Sequence, residues 1–550
     1  MPKFVFRRNQ HIGAAGAEQD DYYLSKCFVD TGVLNILRDC DDPRRILIGR
    51  TGSGKSALLT RLTEAEEHVI PIIPEALSLA YISNSTILNF FAEAGVDLDL
   101  FYRWLWRHVF CVEVLRAKFP ADERKRSGLL NLIYEVLPKS KRSEAAVKYL
   151  KDWGDSFWQE TEVIITEATR KVESSLQGAV EGKVAGIASL SGAAAQKLTE
   201  EQKQEIANRA REVVSRVQIR ELGEVLDTLD EVLQGNKQQR YFITIDKLDE
   251  EWAEDKIRVR LIKALLQASL DFARVKNVKV IIALRSDLID RVYRLTRSSG
   301  FQEEKFRTNS IDLRWSKEHL TAVLDRRIHV LVRDQYSNAT VTHSDLLPAV
   351  VTLGKSRRRK LSGLDYMIER TLCRPRDIIH FFNACIERSE GKPSITVQAL
   401  QQAEGYYSRD RFRALLDEWY GSYPNLATYA QILKNRPDSF RVDDITLEEI
   451  SELCLRLATD VEVVNASDME MIQHTAEGTI SASLYRRHLV QILYKVGLVG
   501  LRIEPGMPIS WSYEGGPSVS DAEIHDDTRL YVQPTFWRCF GITDRTIQAA

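Results

Sequence analysis

Cysteines are few in this sequence, and none is placed to hold a metal ion or to build a disulfide framework. Seven cysteines are scattered over 550 residues, and the two nearest along the chain are Cys373 and Cys385. No C-x-x-C pair or other zinc-binding spacing occurs. We therefore expect free thiols, a reducing cytoplasm as the location, and a fold that is stabilised by apolar cores.

Long apolar runs and an excess of one charge are also absent. No uncharged apolar stretch approaches the roughly 18 residues of a membrane-spanning helix, and no apolar segment follows the basic N-terminal residues, so we expect neither a membrane span nor a leader peptide. Lys and Arg number 76 against 78 Asp and Glu, which leaves a formal charge of −2. Any binding to nucleic acid or anionic lipid therefore has to be local.

Apolar and charged residues, in contrast, are present in the amounts of an ordinary globular protein. Hydrophobic residues make up 44% of the chain and charged residues 28%. This composition excludes disorder and fibrous repeats as the main structure. At roughly 100–200 residues per domain, the length predicts three or four domains.

The motif G-x-x-x-x-G-K-S stands between an apolar run, which predicts a buried strand, and an apolar-periodic segment, which predicts a helix. Such a loop presents backbone N–H groups to phosphate at a helix N-terminus. Lys55 is expected to reach the β- and γ-phosphates, and the Ser56 hydroxyl to ligate Mg²⁺. The alternative is a chance glycine turn, which the two flanks disfavour. The predicted nucleotide-binding residues are Gly49, Arg50, Thr51, Gly52, Ser53, Gly54, Lys55, Ser56 and Ala57.

A second strand, 241–245, ends at Asp246, which we predict to hold the Mg²⁺ shell together with Ser56. Lys247 follows directly, at a position where related enzymes usually carry a carboxylate that polarises the attacking water. Asp249 or Glu250 is therefore the predicted catalytic base. The alternative for Asp246 is an aspartate that merely caps a turn.

A third apolar strand, 278–284, ends at Arg285. A polar side chain at this strand end could read the γ-phosphate through a charge-assisted hydrogen bond. The alternative is an ion pair between Arg285 and Asp287 or Asp290.

Farther along, a helix is predicted to begin at Pro375, with arginines on either side of its first residue. Arg374 or Arg376 is the candidate to reach the nucleotide from a helical lid. The alternative is that Arg376 pairs with Asp377 or with a neighbouring helix.

The C-terminal region reads as a helix followed by a hairpin. A helix is predicted over 485–496, and strands over 498–503, 509–513 and 529–532. This order resembles a winged helix. The helix carries few basic residues for a DNA-reading element, so protein docking and DNA binding both remain open.

The segments IGRTGSGKS, YFITIDKLDEEW, KVIIALRSD and RPRDIIHFFN occur in the order of an AAA-like or STAND-like P-loop ATPase. The chain resembles a bacterial, KAP-related group of these ATPases, several of which serve in anti-phage defence, over about residues 20–390. The resemblance implies ATP and Mg²⁺ as cofactors, a homo-oligomer, and a partner protein that supplies an effector activity. Lys247 departs from the further aspartates of KAP proteins, which puts the catalytic base in doubt.

The predicted fold is α/β: a P-loop NTPase parallel sheet with a large helical insertion, a helical lid and a winged-helix-like C-terminal α+β domain. A fifth strand is expected at 313–315. The predicted boundaries are 1–95 for the P-loop half of the core, 96–236 for the insertion, 237–320 for the second half, 321–405 for the lid and 410–550 for the C-terminal domain.

Three functions fit these features. The leading one is an ATP-driven switch that has no second catalytic centre of its own. A second is a DNA-handling ATPase of replication, partition or transposition type that uses the winged domain. A third is a nucleotide-binding scaffold with little hydrolysis, for which Lys247 is the argument.

Overall fold

The structure is a computed structural model. It describes residues 4–14, 16–74, 98–118, 201, 226, 229–230, 233, 239–250, 252–253, 255–296, 303–335, 341–353, 359–459, 468–504, 506–515 and 519–543. Most of the predicted insertion therefore lies outside the described residues. The chain forms two compact units, which we call the sheet unit (32–48 and 58–311) and the lid unit (1–31, 49–57 and 312–550).

The sheet unit is built on five strands in the order β2-β3-β4-β1-β5. Pairing is parallel between β2 and β3 and between β3 and β4. All five residues of β3 are buried, which is typical of parallel strands covered on both faces. This arrangement confirms the α/β class. The strands are Ile46–Gly49 (β1), Val69–Ile72 (β2), Tyr241–Ile245 (β3), Val278–Arg285 (β4) and Ser310–Asp312 (β5).

Helices cover this sheet, and the two longest described ones pack together through apolar side chains and several polar contacts. The indole Nε1 of Trp106 donates to the carbonyl of Leu261 at 2.9 Å. The helices whose residues lie wholly or mainly in this unit are Val33–Arg38, Lys55–Ala65 (α1), Asp99–Lys118, Asp255–Phe272, Ser286–Thr296 and Glu303–Thr308.

The lid unit has two apolar cores, one in its helical part and one at its C-terminal end. Its helix Pro375–Glu387 (α2) begins where predicted, because the fixed φ of proline suits the first helical position. The other helices of this part are Asp21–Cys27, Lys317–Gln335, His343–Leu346, Gly363–Glu369 and Val397–Trp419 (α3), with a hairpin of Val351–Leu353 (β6) and Arg359–Leu361 (β7).

The C-terminal end of the lid unit has the helix-then-sheet order of a winged helix. Gly497 ends the main helix with a left-handed φ of 87°. The strands Ser439–Arg441 (β8), Val499–Arg502 (β9) and Arg529–Val532 (β10) form an antiparallel sheet in the order β8-β10-β9. The helices here are Leu426–Tyr429, Leu447–Thr459, Met469–Ala476, Ala482–Val496 (α4) and Trp537–Phe540.

Two expected strands were wrong. The fifth strand is Ser310–Asp312, three residues earlier than expected, because Ile311 is the buried residue of this segment. The segment 509–513 makes one bridge, between Ser510 and Leu501, and then turns into a short 3₁₀ helix. The ring of Trp511 packs over Gly500, where a Cβ would lie 2.8 Å from it. The chain therefore bends over β9 instead of extending beside it.

Across the described part of the chain, no helix is long and apolar enough to cross a membrane.

Candidate functional site

The loop 49–57 has the backbone conformation that a phosphate-binding loop needs. Gly52 and Gly54 have φ of 79° and 96°, a region that side chains with a Cβ rarely adopt. A Cβ on Gly52 would also lie 2.6 Å from the Cβ of Arg376. The loop continues from β1 at Gly49, and α1 begins at Lys55. Its glycines are therefore required by the backbone, and the loop leads into a helix N-terminus.

The Lys55 side chain folds back along this loop. Its Nζ donates to the carbonyl of Gly49 at 2.8 Å and to that of Arg50 at 3.3 Å. Lys55 is only 9% exposed. The ammonium group is thus held at the beginning of the loop by backbone carbonyls.

The carbonyls of three successive loop residues, 51 to 53, face hydrogen-bond donors from other parts of the lid unit. Arg374 Nη1 donates to Thr51 O at 2.9 Å, and the Trp315 indole donates to Ser53 O at 2.8 Å. The backbone N–H of Arg376 lies 3.5 Å from the carbonyl oxygen of Gly52. The orientation of these peptide planes is therefore set by side chains and backbone from distant parts of the sequence.

Arg374 belongs to a buried network of charges. Its Nε donates to Asp377 at 2.9 Å, and its Nη1 lies 3.2 Å from Glu418. Burial alone would lower the pKa of Arg374, but the negative charges of Asp377 and Glu418 raise it by more than burial lowers it. The guanidinium therefore stays charged. Arg374 is thus one ion-pair partner of Asp377.

Asp377 is fully buried between two arginines. Arg411 Nη1 also reaches it, at 3.1 Å, and the backbone N–H of Leu372 donates to it at 3.0 Å. Burial would raise the pKa of this carboxyl, but Arg374 and Arg411 lower it to about 2. Its charge is therefore satisfied by ion pairs and by the backbone.

Arg376 lies directly over Gly52 of the loop. Burial lowers the pKa of this arginine, and the charges of Arg411 and Arg374 lower it further. A desolvated cation in this position favours a nearby anion. Two arginines were predicted to reach a nucleotide. Arg374 donates to a backbone carbonyl of the loop, and Arg376 packs against Gly52 on the loop surface.

A cavity of about 310 Å³ adjoins the loop within the lid unit. It is bordered by Arg50 and Ser53 of the loop, by Trp315, and by Tyr513 and Glu514 of the C-terminal part. Burial raises the pKa of Glu514. The cavity lies on the side of the loop whose carbonyls are occupied, because both Trp315 and Arg374 form part of its wall.

The predicted acidic residues lie in the sheet unit. Asp246 follows β3, and its Oδ1 accepts the backbone N–H of Lys247 at 2.9 Å. Lys247 has a left-handed φ of 60°, and its Nζ pairs with Glu250 at 3.3 Å. Glu250, one of the two candidate bases, is therefore held by the lysine that departs from the expected pattern.

Asp249, the other candidate base, pairs with Arg285. The Arg285 Nη1 lies 3.0 Å from Asp249 Oδ2, and its Nη2 lies 2.8 Å from Asp287. Burial would lower the pKa of Arg285, but Asp287 and Asp249 raise it. The structure therefore brings together two residues that the sequence had assigned separate roles, and it also contains the alternative pair with Asp287.

The residues predicted to hold Mg²⁺ carry oxygen donors, the ligand type that Mg²⁺ prefers. No group of three His, Cys, Asp or Glu side chains forms a metal site among the residues that the structure describes. Mg²⁺ with a nucleotide needs only one or two protein oxygens besides phosphate and water. Ser56 of the lid unit and Asp246 of the sheet unit are each a partly exposed oxygen donor.

Sequence reasoning did not find Glu418 or Trp315, which contact the loop from far along the chain. The sequence does contain an indication of Glu418, because this carboxylate lies between Leu415 and Trp419 on the apolar face of a helix. A carboxylate on an apolar face needs a partner of opposite charge.

Comparison with known proteins gives three similarities. Residues 318–416 match the family model of the FunZ-associated C-terminal helical domain. The chain is 23% identical to a putative transposon gamma-delta 80.3 kDa protein of Escherichia coli (strain K12), over 97% of this chain and 67% of that protein. A Walker-type ATPase of Pyrococcus abyssi matches at 11% identity and a TM-score of 0.36, over 96% of this chain and 98% of the other.

Proposed function

We propose that this chain binds ATP with Mg²⁺ at the loop 49–57 and hydrolyses it slowly. The observation that carries the proposal is the loop itself: Gly52 and Gly54 have left-handed φ values, and α1 begins at Lys55. This backbone suits phosphate at a helix N-terminus. Bound Mg²⁺ would neutralise charge on the β- and γ-phosphates.

Different residues of this chain would bind the phosphates, bind the metal and orient the attacking water. The loop amides and Lys55 hold the phosphates, while Ser56 and Asp246 supply oxygens to the metal. Asp249 or Glu250 orients the attacking water once its partner, Arg285 or Lys247, moves away. Because each of the two carboxylates is already paired with a cation, neither is ready to accept a proton from water, and hydrolysis is expected to be slow.

Titration of the wild-type chain with ATP tests this proposal. We expect saturable ATP binding by calorimetry that weakens when Mg²⁺ is replaced by EDTA, and phosphate release that depends on Mg²⁺. Binding without measurable phosphate release would instead support the scaffold function. A chain that binds no adenine or guanine nucleotide would contradict the proposal.

The two candidate bases can be separated by isosteric variants. We expect either Asp249→Asn or Glu250→Gln to lower kcat by about 100-fold with ATP affinity nearly unchanged, since a base acts in the transition state. Asp246→Ala should weaken Mg²⁺-dependent binding as well. Phosphate release and calorimetry measure the two effects.

Glu304→Gln is the control for these variants, because Glu304 is an exposed carboxylate of the same unit. Full turnover in both Asp249→Asn and Glu250→Gln would show that the base lies elsewhere.

For the biological role, we propose an oligomerising cytoplasmic switch of a bacterial anti-phage defence system. ATP binding and hydrolysis would change the packing of the lid, the insertion and the C-terminal domain, and a partner protein would supply the effector activity. The KAP-like and STAND-like order of the motifs supports this role. Sedimentation with and without ATP tests the oligomer.

A DNA-handling ATPase is the second candidate, and the similarity to a transposon-encoded protein favours it. The basic side chains of α4 argue against DNA reading by that helix. Arg486 is buried and donates to Asp526 at 2.8 Å, and Arg487 and His488 each face a carboxylate within 4 Å. Duplex binding that falls steeply with salt would favour this candidate.

A further inference from the structure

Glu418, near the C-terminal end of α3, has its carboxylate against the phosphate-binding loop. The side chain is 4% exposed. Its Oε1 accepts from Arg50 Nε at 3.2 Å and lies 3.4 Å from the backbone nitrogen of Thr51, while its Oε2 lies 3.2 Å from Arg374 Nη1. One buried carboxylate thus contacts two loop residues and the arginine that holds the loop carbonyl.

Arg50, the second residue of the loop, also contacts the C-terminal end of the lid unit. Arg50 Nη2 donates at 2.9 Å to the carbonyl of Val496, the last residue of α4. A cation is favoured at this end of a helix, where the carbonyls carry partial negative charge. The Arg50 side chain therefore contacts Glu418 of α3 and Val496 of α4, and it connects the loop to these two helices.

The Thr51 peptide groups are fixed from both sides of the residue. The N–H faces Glu418 and the carbonyl accepts from Arg374, and Glu418 also binds Arg374. Rotation of either peptide plane would break a contact to a buried charged group, which is costly. The Thr51 carbonyl and the Gly52 N–H belong to one peptide group, so the contact with Arg374 also sets the direction of the Gly52 N–H.

We propose that Glu418 is a positioning residue of the nucleotide site: it fixes the Arg50–Thr51 peptides so that the loop amides are preorganised for phosphate. This inference rests on the proposed ATP binding at the loop. Because a preorganised loop favours bound nucleotide in the ground state and the transition state alike, Glu418 acts on ATP affinity and KM more than on kcat.

Glu418→Gln tests the proposal, because it keeps the size of the side chain and removes its charge. We expect ATP affinity to fall and KM to rise by about tenfold, with kcat changed by less than about threefold. Asp417→Asn is the matched control: it is the same charge change one residue earlier on α3, at an exposed position, and KM should stay at the wild-type value.

Glu418→Asp distinguishes positioning from support of the fold. It restores the charge but shortens the reach, so KM should lie between the wild-type and Glu418→Gln values. If Glu418→Gln does not give folded protein, Glu418→Asp carries the test with an expected rise in KM of about threefold. A purely structural role would lower the thermal midpoint of both variants and leave KM unchanged, which would overturn the inference.

The two proposals fail in different ways. If the wild-type chain binds no ATP, the proposed function fails. If the wild-type chain binds ATP and both Glu418 variants bind it with wild-type affinity and KM, only the role of Glu418 fails.

Discussion

Replacing Lys55 by alanine is expected to weaken ATP binding by at least about 100-fold and to abolish measurable hydrolysis. The Lys55 ammonium is a cation of the loop itself, and in the structure it donates to the carbonyls of Gly49 and Arg50. Alanine removes the charge that would neutralise the β- and γ-phosphates but keeps the helix, because alanine favours helix formation. Calorimetric titration with ATP and a phosphate-release assay measure the two effects.

Arg61→Ala is the control on the same helix. Arg61 pairs with Glu64, and both side chains are about 40% exposed, so this variant should bind ATP as the wild type does. The thermal midpoint of Lys55→Ala should stay close to that of the wild type. Unchanged ATP binding in folded Lys55→Ala protein would refute the assignment of the loop.

The substitution Asp377→Asn is expected to lower the free energy of unfolding by about 3–5 kcal/mol, which is typical of removing one partner from a buried ion pair. Asp377 has no exposed surface and lies against Arg374 and Arg411. Asparagine leaves both guanidinium groups without this buried counter-charge. Urea denaturation at neutral pH measures the loss, and Asp410→Asn, whose ion pairs are half-exposed and longer than 3.6 Å, should change little.

The same aspartate predicts a pH dependence. Its pKa in the folded chain is about 2, below the ordinary value of 3.8, so its contribution to stability is present above pH 4. That contribution is lost as pH falls from about 4 to 2 and the carboxyl takes up a proton. The wild type should therefore lose stability over this range more steeply than Asp377→Asn. Parallel curves for the two proteins would contradict the ion-pair account.

Local sequence patterns were enough to predict the elements that carry the site. The buried runs of β3 and β4 and the start of α2 at Pro375 lie where expected, because each is fixed by residues within a few positions. The motif also placed glycines at 52 and 54, where the structure has left-handed backbone angles.

Contacts between distant segments could not be predicted in this way. The pairing of Asp249 with Arg285 joins the ends of two neighbouring strands, and Glu418 meets the loop only after α3 packs in the lid unit. Asp377 pairs with Arg374, whereas the sequence had suggested its neighbour Arg376. The helix geometry decides it, since residues three apart lie on one side of the first turn.

The lid unit is assembled from three separate stretches of sequence, 1–31, 49–57 and 312–550. During synthesis the loop leaves the ribosome long before Trp315, Arg374 and Glu418 exist. Its peptide groups therefore lack the contacts of Arg374 and Glu418 until those residues, which lie in the last third of the sequence, have been made. On the proposed function, nucleotide affinity should accordingly arise late in biosynthesis, only after α3 has been made and packed.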